Sequence, residues 1–217
     1  MQDGNDAFCT AQEKPKMIAF TFDDGPNTVI TPKVLELFDR YGGKATFFLI
    51  GQNISEESAH VAKLAFDKGH EIENHSLSHR AFTELSREEM CEETKKTDDL
   101  IEKITGRVPE FFRPPYIAYD DATFDAVDKT FICGLGCDDW DEKVPVEKRV
   151  KDILSFADDG VIVLLHDSDY NQATVDALEE VLPKLKEEGY EFVTLRQLFE
   201  AKDEPYGYSN GRIYSKL

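Results

Sequence analysis

Short, almost continuously apolar runs alternate with amphipathic segments along most of this chain. Met17-Ile18-Ala19-Phe20, the run from Ala45 to Gly51 and the run from Gly160 to His166 are too short for helices and apolar at nearly every position. Strands buried on both faces have this character. Further strands are predicted at Glu71 to His75, Phe111 to Tyr116, Phe131 to Cys137 and Tyr190 to Leu195. Helix signals separate them. Thr31 and Pro32 read as N-cap and first helical residue of a helix through Val34, Leu35, Leu37 and Phe38 that stops at Gly42-Gly43. Ser55 caps a second helix, and the capping box Ser86 to Glu89 opens a long charged third that ends at Gly106. Asp120 and Asp121 open a fourth, Val146 to Phe156 form a fifth, and Asn171 to Glu188 a sixth that Pro183 is expected to kink. Arg196 to Ala201 is the seventh.

Seven βα units in a row, with no linker and no internal repeat, imply an α/β fold with a parallel sheet covered on both sides. The pattern alone leaves a closed barrel and an open doubly wound sheet as alternatives. No GxGxxG follows the first strand, which counts against a dinucleotide site. The 217 residues suffice for one large domain with a core. The balance of 44 acidic against 25 basic residues, a net charge of -19, argues against nucleic acid and anionic membrane partners. It is compatible with a neutral polymer. No stretch is long and apolar enough to span a bilayer. The first 15 residues are polar without a signal-peptide core, and residues 202–217 form a polar tail with three tyrosines. Cys9, Cys91, Cys133 and Cys137 show no zinc-type CxxC pair. Cys133 and Cys137 share one strand, about 13 Å apart, and are expected to be core thiols. A Cys9–Cys91 bridge stays open.

In either architecture, ligands bind at the carboxyl ends of the strands. Asp23 and Asp24 follow the first strand, His75 and His79 the third, and Arg113 and Tyr116 the fourth. Asp138, Asp139 and Trp140 follow the fifth, and His166 and Asp167 the sixth. Two adjacent carboxylates at a buried strand end either open a turn or serve chemistry, because lone charges are rarely buried. His75 and His79 lie four apart, and one helical turn would bring their rings about 6 Å apart along the axis. The spacing alone is a weak signal. A carboxylate from another strand end would complete a two-histidine, one-carboxylate metal site with open positions. His166 is either a satisfied core histidine or an acid tuned by a carboxylate at the neighbouring strand end. Arg113 is a loop arginine or the partner that keeps Asp23 ionised. Trp140 is core or the apolar wall of a small acyl site. His60 and His70 read as solvated.

TFDDGP, HSLSH, RPPY, DDW and IVLLH, in this order, closely resemble the motifs of the polysaccharide deacetylases of carbohydrate esterase family 4, the NodB homology domain. The resemblance runs from about residue 16 to 200. It implies a distorted (β/α)7-8 barrel and metal-dependent removal of acetyl groups from sugars. By resemblance, Asp24, His75 and His79 are the metal ligands and Asp23 the general base held by Arg113. The Tyr116 N–H joins the oxyanion site, Asp139 tunes the general acid His166, and Trp140 and Leu164 line the acetyl pocket. Two positions depart from the family pattern. Gly136 stands where an Asp usually opens the fourth motif, and Ile117 stands where a Gly usually follows the RPPY tyrosine.

The expected chain is thus a polar extension (1–15), a catalytic domain (16–201) and a tail (202–217). One divalent ion is expected, zinc first, cobalt or nickel as alternatives. The expected substrate is an acetylated polysaccharide, O-acetylated xylan first. The alternatives are N-deacetylation of chitooligomers or peptidoglycan and, in another class, an inactive carbohydrate-binding module. No GxSxG elbow supports a serine hydrolase. A monomer acting outside a bacterial-type cell or at its surface is expected, with a cytoplasmic location as the alternative.

Overall fold

The computed structural model describes residues 15–217. Strand β1 (Lys16–Asp23) runs through the centre. It is followed by α1 (Thr31–Arg40), β2 (Thr46–Leu49), α2 (Glu56–Asp67), β3 (Glu71–Asn74) and α3 (Arg87–Thr105). Next come β4 (Phe111–Phe112), α4 (Asp121–Ala126), β5 (Thr130–Ile132), β6 (Leu135–Gly136) and α5 (Val146–Phe156). The chain ends with β7 (Ile162–His166), α6 (Gln172–Glu187), β8 (Tyr190–Phe192), α7 (Leu195–Ala201) and β9 (Ile213–Tyr214). The strands order as β6-β7-β1-β2-β3-β4-β5-β9, with β8 beside the start of β1, and these ladders are all parallel. The sheet curls into the distorted (β/α) barrel that the motifs imply.

Strand alternation divides the residues of β1 between two environments. Ile18, Phe20 and Phe22 face the helices, where Phe20 and Phe22 meet Phe38 of α1 edge-on at 5.7 and 5.9 Å. Each such phenylalanine contributes roughly 1.5–3 kcal/mol by burial. Ala19 packs inside the barrel with Phe48, Phe111, Ile132, Ile162 and Phe199. Thr21 and Asp23 continue that inward row toward the carboxyl ends of the strands. On β7 the same alternation sends Val163 and Leu165 outward and leaves His166 in the inward row.

Closure depends on the end of the chain. The apolar run predicted as one strand from Phe131 to Cys137 is broken at Gly134, whose φ is 92°. Cys133 N–H and Gly134 N–H both donate to Tyr214 O, at 2.8 and 3.2 Å, so the chain bulges there. β5 stays with β4 and β9, while β6 crosses to β7. The gap beneath is filled by the tail: Ile162 N–H donates to Ser215 O and Leu217 N–H to Gly160 O, both at 3.0 Å. With only two residues, β9 was too short to show in the sequence pattern.

Other expectations are corrected. The fourth strand has two residues rather than six, because Pro114 and Pro115 cannot donate to a ladder; a 3-10 turn, Pro115–Ile117, replaces the rest. Thr31 does not cap α1. Asn27 Oδ1 accepts from Val29 N–H at 2.9 Å and Ile30 N–H at 2.7 Å, while the Thr31 hydroxyl donates to Asp167. His70 is buried between Phe38 and Phe47, and its Nδ1 accepts from Ala45 N–H at 3.1 Å. Burial and nearby Lys44 lower its pKa to about 4, so it is neutral. His60 is exposed as expected. Helix α6 runs through Pro183 without a break. Cys137 is a buried thiol, Cys133 is half-buried, and the proposed Cys9–Cys91 pairing lies outside the described residues. No helix among the described residues is long and apolar enough to cross a membrane.

Gly160 has φ 87°, and a Cβ there would collide with the Leu217 carbonyl. Gly42 has φ 64° with open space around it. Gly42→Ala is expected to lose only the left-handed backbone cost, about 1–2 kcal/mol. Gly160→Ala is expected to lose more, because it also displaces the closing tail. Equal losses in urea unfolding would show that the tail contact does not stabilise the barrel.

Candidate active site

The site is built where the inward rows end. Asp23 is almost fully buried, and its Oδ1 accepts from Arg113 Nη1 at 2.6 Å. Arg113 is completely buried. Its Nη2 donates to Thr21 Oγ1 at 2.7 Å, its Nε donates to Ile132 O at 3.4 Å, and its guanidinium lies 4.3 Å from the Phe48 ring centroid. Burial opposes the charged form of Asp23. The charges of Arg113 and His166, with the Arg113 hydrogen bond, outweigh it and hold the pKa below the usual carboxylate range. Asp23 is therefore held ionised and in a fixed position.

Asp24 turns away at φ 76°. One of its oxygens, Oδ2, accepts from Ser168 Oγ at 3.1 Å. The other, Oδ1, is buried without a hydrogen-bond partner and lies 3.8 Å from His75 Nε2 and 3.5 Å from His79 Nε2. Ligand atoms of all three residues fall within 4.8 Å of one another. His75 Nδ1 faces Arg113 O at 2.7 Å. That carbonyl can only accept, so Nδ1 carries the proton and Nε2 keeps its lone pair for the cluster. Burial and the neighbouring His75 lower the His79 pKa, which favours the neutral ligand form. Two neutral imidazoles, one carboxylate and an orphaned carboxylate oxygen fit a divalent first-row ion.

No helical turn makes this pairing. Residues 75–79 form an irregular turn with Ser76 at φ 68° and His79 at φ 59°. Glu93 of α3 holds it by accepting from Leu77 N–H, Ser78 N–H and Ser78 Oγ at 3.0, 2.8 and 2.6 Å. The imidazole centroids are 4.9 Å apart. Asp24, Ser76, His79, Tyr116, Ile117 and Asp138 are six of the seven non-glycine residues with positive φ among the described residues. Such conformations cost about 1–3 kcal/mol each and gather where function requires them.

His166 Nδ1 lies 2.8 Å from Asp139 Oδ1, and His166 N–H donates to Asp139 Oδ2 at 2.9 Å. The crossing of β6 to β7 makes this contact. Burial disfavours the imidazolium, but the Asp139 hydrogen bond and the charges of Asp139, Asp23 and Asp24 prevail. They raise the pKa from 6.5 to about 9. Asp138, by contrast, is exposed and 3.9 Å from Lys148.

A cleft of about 560 Å³ joins these groups. Asp23, Asp24, His75, His79, Asp139 and His166 line its floor, with Tyr116, Trp140, Leu164 and Tyr170 among its walls. Trp140 and Tyr116 are 59% and 72% exposed, so they are rim residues and not core. The Tyr116 N–H donates to no backbone carbonyl among the described residues.

The sequence pattern of the polysaccharide deacetylase family matches residues 10–132. A bifunctional xylanase/deacetylase of Pseudobutyrivibrio xylanivorans is 39% identical over 199 residues, covering 92% of this chain and 33% of that protein. The chain belongs to the polysaccharide deacetylase family. Within it, a peptidoglycan-N-acetylmuramic acid deacetylase of Bacillus subtilis (strain 168) is 35% identical over 196 residues, covering 90% of this chain and 41% of that protein. The chain therefore spans about a third to two fifths of the length of these two relatives. The structure of a family 4 acetyl xylan esterase from Clostridium thermocellum, in complex with a cobalt ion, superposes with a TM-score of 0.89 at 37% identity. It covers 93% of this chain and 99% of that one.

Sequence reasoning missed the residues that hold this family's site in place. Thr21 and Phe48 brace Arg113, Glu93 braces the histidine turn, Ser168 braces Asp24, and Asn171 and Thr174 brace Asp139. Only period-2 alternation gave a usable signal, for Thr21. The others sit on elements whose approach is tertiary.

In the metal-free protein, zinc titration followed by calorimetry is expected to show one tight site. Asp24→Asn should weaken binding by about 10–100-fold or more, as loss of a group on which a metal site depends does. Asp23→Asn should bind nearly as wild type. Equal loss in both variants would contradict the division of the two carboxylates.

Proposed function

We propose that this domain is a divalent-metal-dependent deacetylase that hydrolyses O-acetyl groups on a neutral, xylan-type polysaccharide. One observation carries the reading. An ionised carboxylate, Asp23, and a carboxylate-tuned imidazole, His166, both border the three-ligand cluster on the floor of one cleft.

Asp24, His75 and His79 would hold the ion, with zinc the best match to the donor set and cobalt the alternative. When bound, such an ion supplies Lewis acidity, which makes water nucleophilic near neutral pH and polarises the acyl carbonyl. Asp23, held ionised by Arg113, takes the water proton. The Tyr116 N–H donates to the developing oxyanion, a type of contact worth roughly 2.7–4 kcal/mol. His166, protonated through Asp139, gives its proton to the departing sugar oxygen. Leu164 and Trp140 shelter the acetyl methyl. No serine or cysteine nucleophile enters this scheme. Ligands, base and acid are all in place, which favours an enzyme over an inactive binding module.

Tyr116, Trp140 and Tyr170 present exposed rings along the cleft, suited to the apolar faces of pyranose rings. The net charge of -19 favours a neutral polymer over an anionic wall. The similar xylanase/deacetylase and acetyl xylan esterase point the same way. A second reading, N-deacetylation of N-acetylglucosamine or N-acetylmuramic acid polymers, draws on the 35% identical peptidoglycan deacetylase. A polymeric substrate supports a reaction outside the cell or at its surface, and a monomer is the form proposed.

Acetate release is expected to be faster from acetylxylan than from N-acetylated chitooligomers or peptidoglycan. Release from the amide substrates alone would reject the ester reading. Asp23→Asn is expected to lower kcat by about 10²–10⁴-fold. His166 acts while protonated, so kcat/KM should fall as pH rises through its pKa. Asp139→Asn removes the hydrogen-bonded charge that raises this pKa from 6.5 toward about 9, so the alkaline limb should move to lower pH. A bound cation lowers both curves alike, so the difference between the two profiles is the test. An unmoved or raised limb would contradict the pairing.

A further inference from the structure

Behind the Asp139–His166 pair lies a second buried arginine. Arg149, on α5, is 1% exposed. Its hydrogen bonds go to neutral acceptors. Nη1 donates to Asn171 Oδ1 at 2.6 Å and to Thr174 Oγ1 at 2.8 Å, Nε to Val144 O at 3.0 Å, and Nη2 to Asp141 O at 3.2 Å. A guanidinium buried with no carboxylate in contact is costly. Its counter-charge is Asp139, one layer away and also 1% exposed. The two charges flank Cys137, whose thiol is pushed up to about 12, first by burial and then by Asp139, with Arg149 opposing.

The two intervening side chains are ambivalent by chemistry. An amide has a donor end and an acceptor end, and a hydroxyl can rotate. Arginine has only donors. Asn171 must therefore turn its oxygen to Arg149, which aims its NH2 at Asp139 Oδ2 at 3.2 Å and His166 O at 2.9 Å. Thr174 accepts from Arg149, so its single proton goes to Asp139 Oδ2 at 2.7 Å. With His166 N–H, that oxygen receives three donors, and Oδ1 is left for His166 Nδ1.

We propose that Arg149 is a positioning residue for the acid: it sets the polarity of Asn171 and Thr174 so that both donate to Asp139, which then holds His166. The proposal rests on His166 being the general acid. Arg149 itself touches neither substrate nor ion. Without it, Asn171 can flip and Thr174 can rotate, each placing a lone pair against the Asp139 carboxylate. Asp139 would then be free to swing from the imidazole.

The test uses the metal-loaded protein with Arg149→Met, Arg149→Lys, Thr174→Val and the Met/Val double variant. Arg149→Met is expected to lower kcat roughly tenfold, the scale seen when a supporting partner of a site is removed. KM should stay within about twofold, because ground-state binding is untouched. Arg149→Lys, with one ammonium for two acceptors, should fall between it and wild type. Thr174→Val should act in the same direction, and the double variant should lose little more than the larger single loss, because both act through one network. In protein labelled at histidine, the hydrogen-bonded Nδ1 proton of His166 should shift or broaden in Arg149→Met. An unchanged Nδ1 resonance with unchanged kcat, or strictly additive losses, would overturn the proposal. If Arg149→Met does not fold, Arg149→Lys and Thr174→Val decide it by the same resonance. If His166→Ala keeps normal turnover, the acid assignment fails on its own, while the resonance still reports whether Arg149 orients the pair.

Discussion

A guanidinium and a carboxylate are buried together on the inside of the barrel, and the layout of the site follows from them. Arg113 has no access to solvent, so every donor needs a partner. Asp23, Thr21 and the Ile132 carbonyl each take one, and the Phe48 ring covers the guanidinium face. These partners come from β1, β2 and β5, so the arginine ties the barrel wall together from within. The Arg113 carbonyl then fixes the proton on His75 Nδ1. One residue thereby keeps Asp23 ionised and sets the tautomer of His75.

The same logic recurs across the cleft. Arg149 stands to Asp139 and His166 somewhat as Arg113 stands to Asp23, but with two neutral side chains between. Direct contact stabilises the ionised Asp23 carboxylate. Contact through Asn171 and Thr174 leaves Asp139 one oxygen for the His166 imidazole. The two halves of the site differ in this spacing more than in composition. Strain is concentrated between them, in the positive-φ residues that aim side chains and N–H groups at the shared floor.

Strand alternation and the βα rhythm were legible in the residues. So were the five motifs at strand ends, because carboxylates and histidines that interrupt apolar runs violate the burial rule and announce themselves. Asp23, Asp24, His75, His79, Arg113, Asp139 and His166 do meet around one cleft. Three features were illegible for physical reasons. The break at Gly134 depends on Tyr214 O accepting from two successive amides. The tail strand β9 has two residues, too few to carry a period. The histidine turn depends on Glu93, a residue on a charged helix that composition alone assigns to solvent.

By itself, then, the sequence determined an α/β chain with parallel strands, helices between them and reactive side chains at one rim. Local periodicity and capping act over a few residues, so a linear pattern can specify them. Only the tertiary structure decided which carboxylate meets which imidazole. β6 had to leave β5 and join β7 before Asp139 could reach His166, and Arg113 had to enter the barrel before Asp23 could stay charged. Those pairings join residues 27 and 90 positions apart. Their partners are set by how the closed sheet brings strand ends together, which no local pattern encodes.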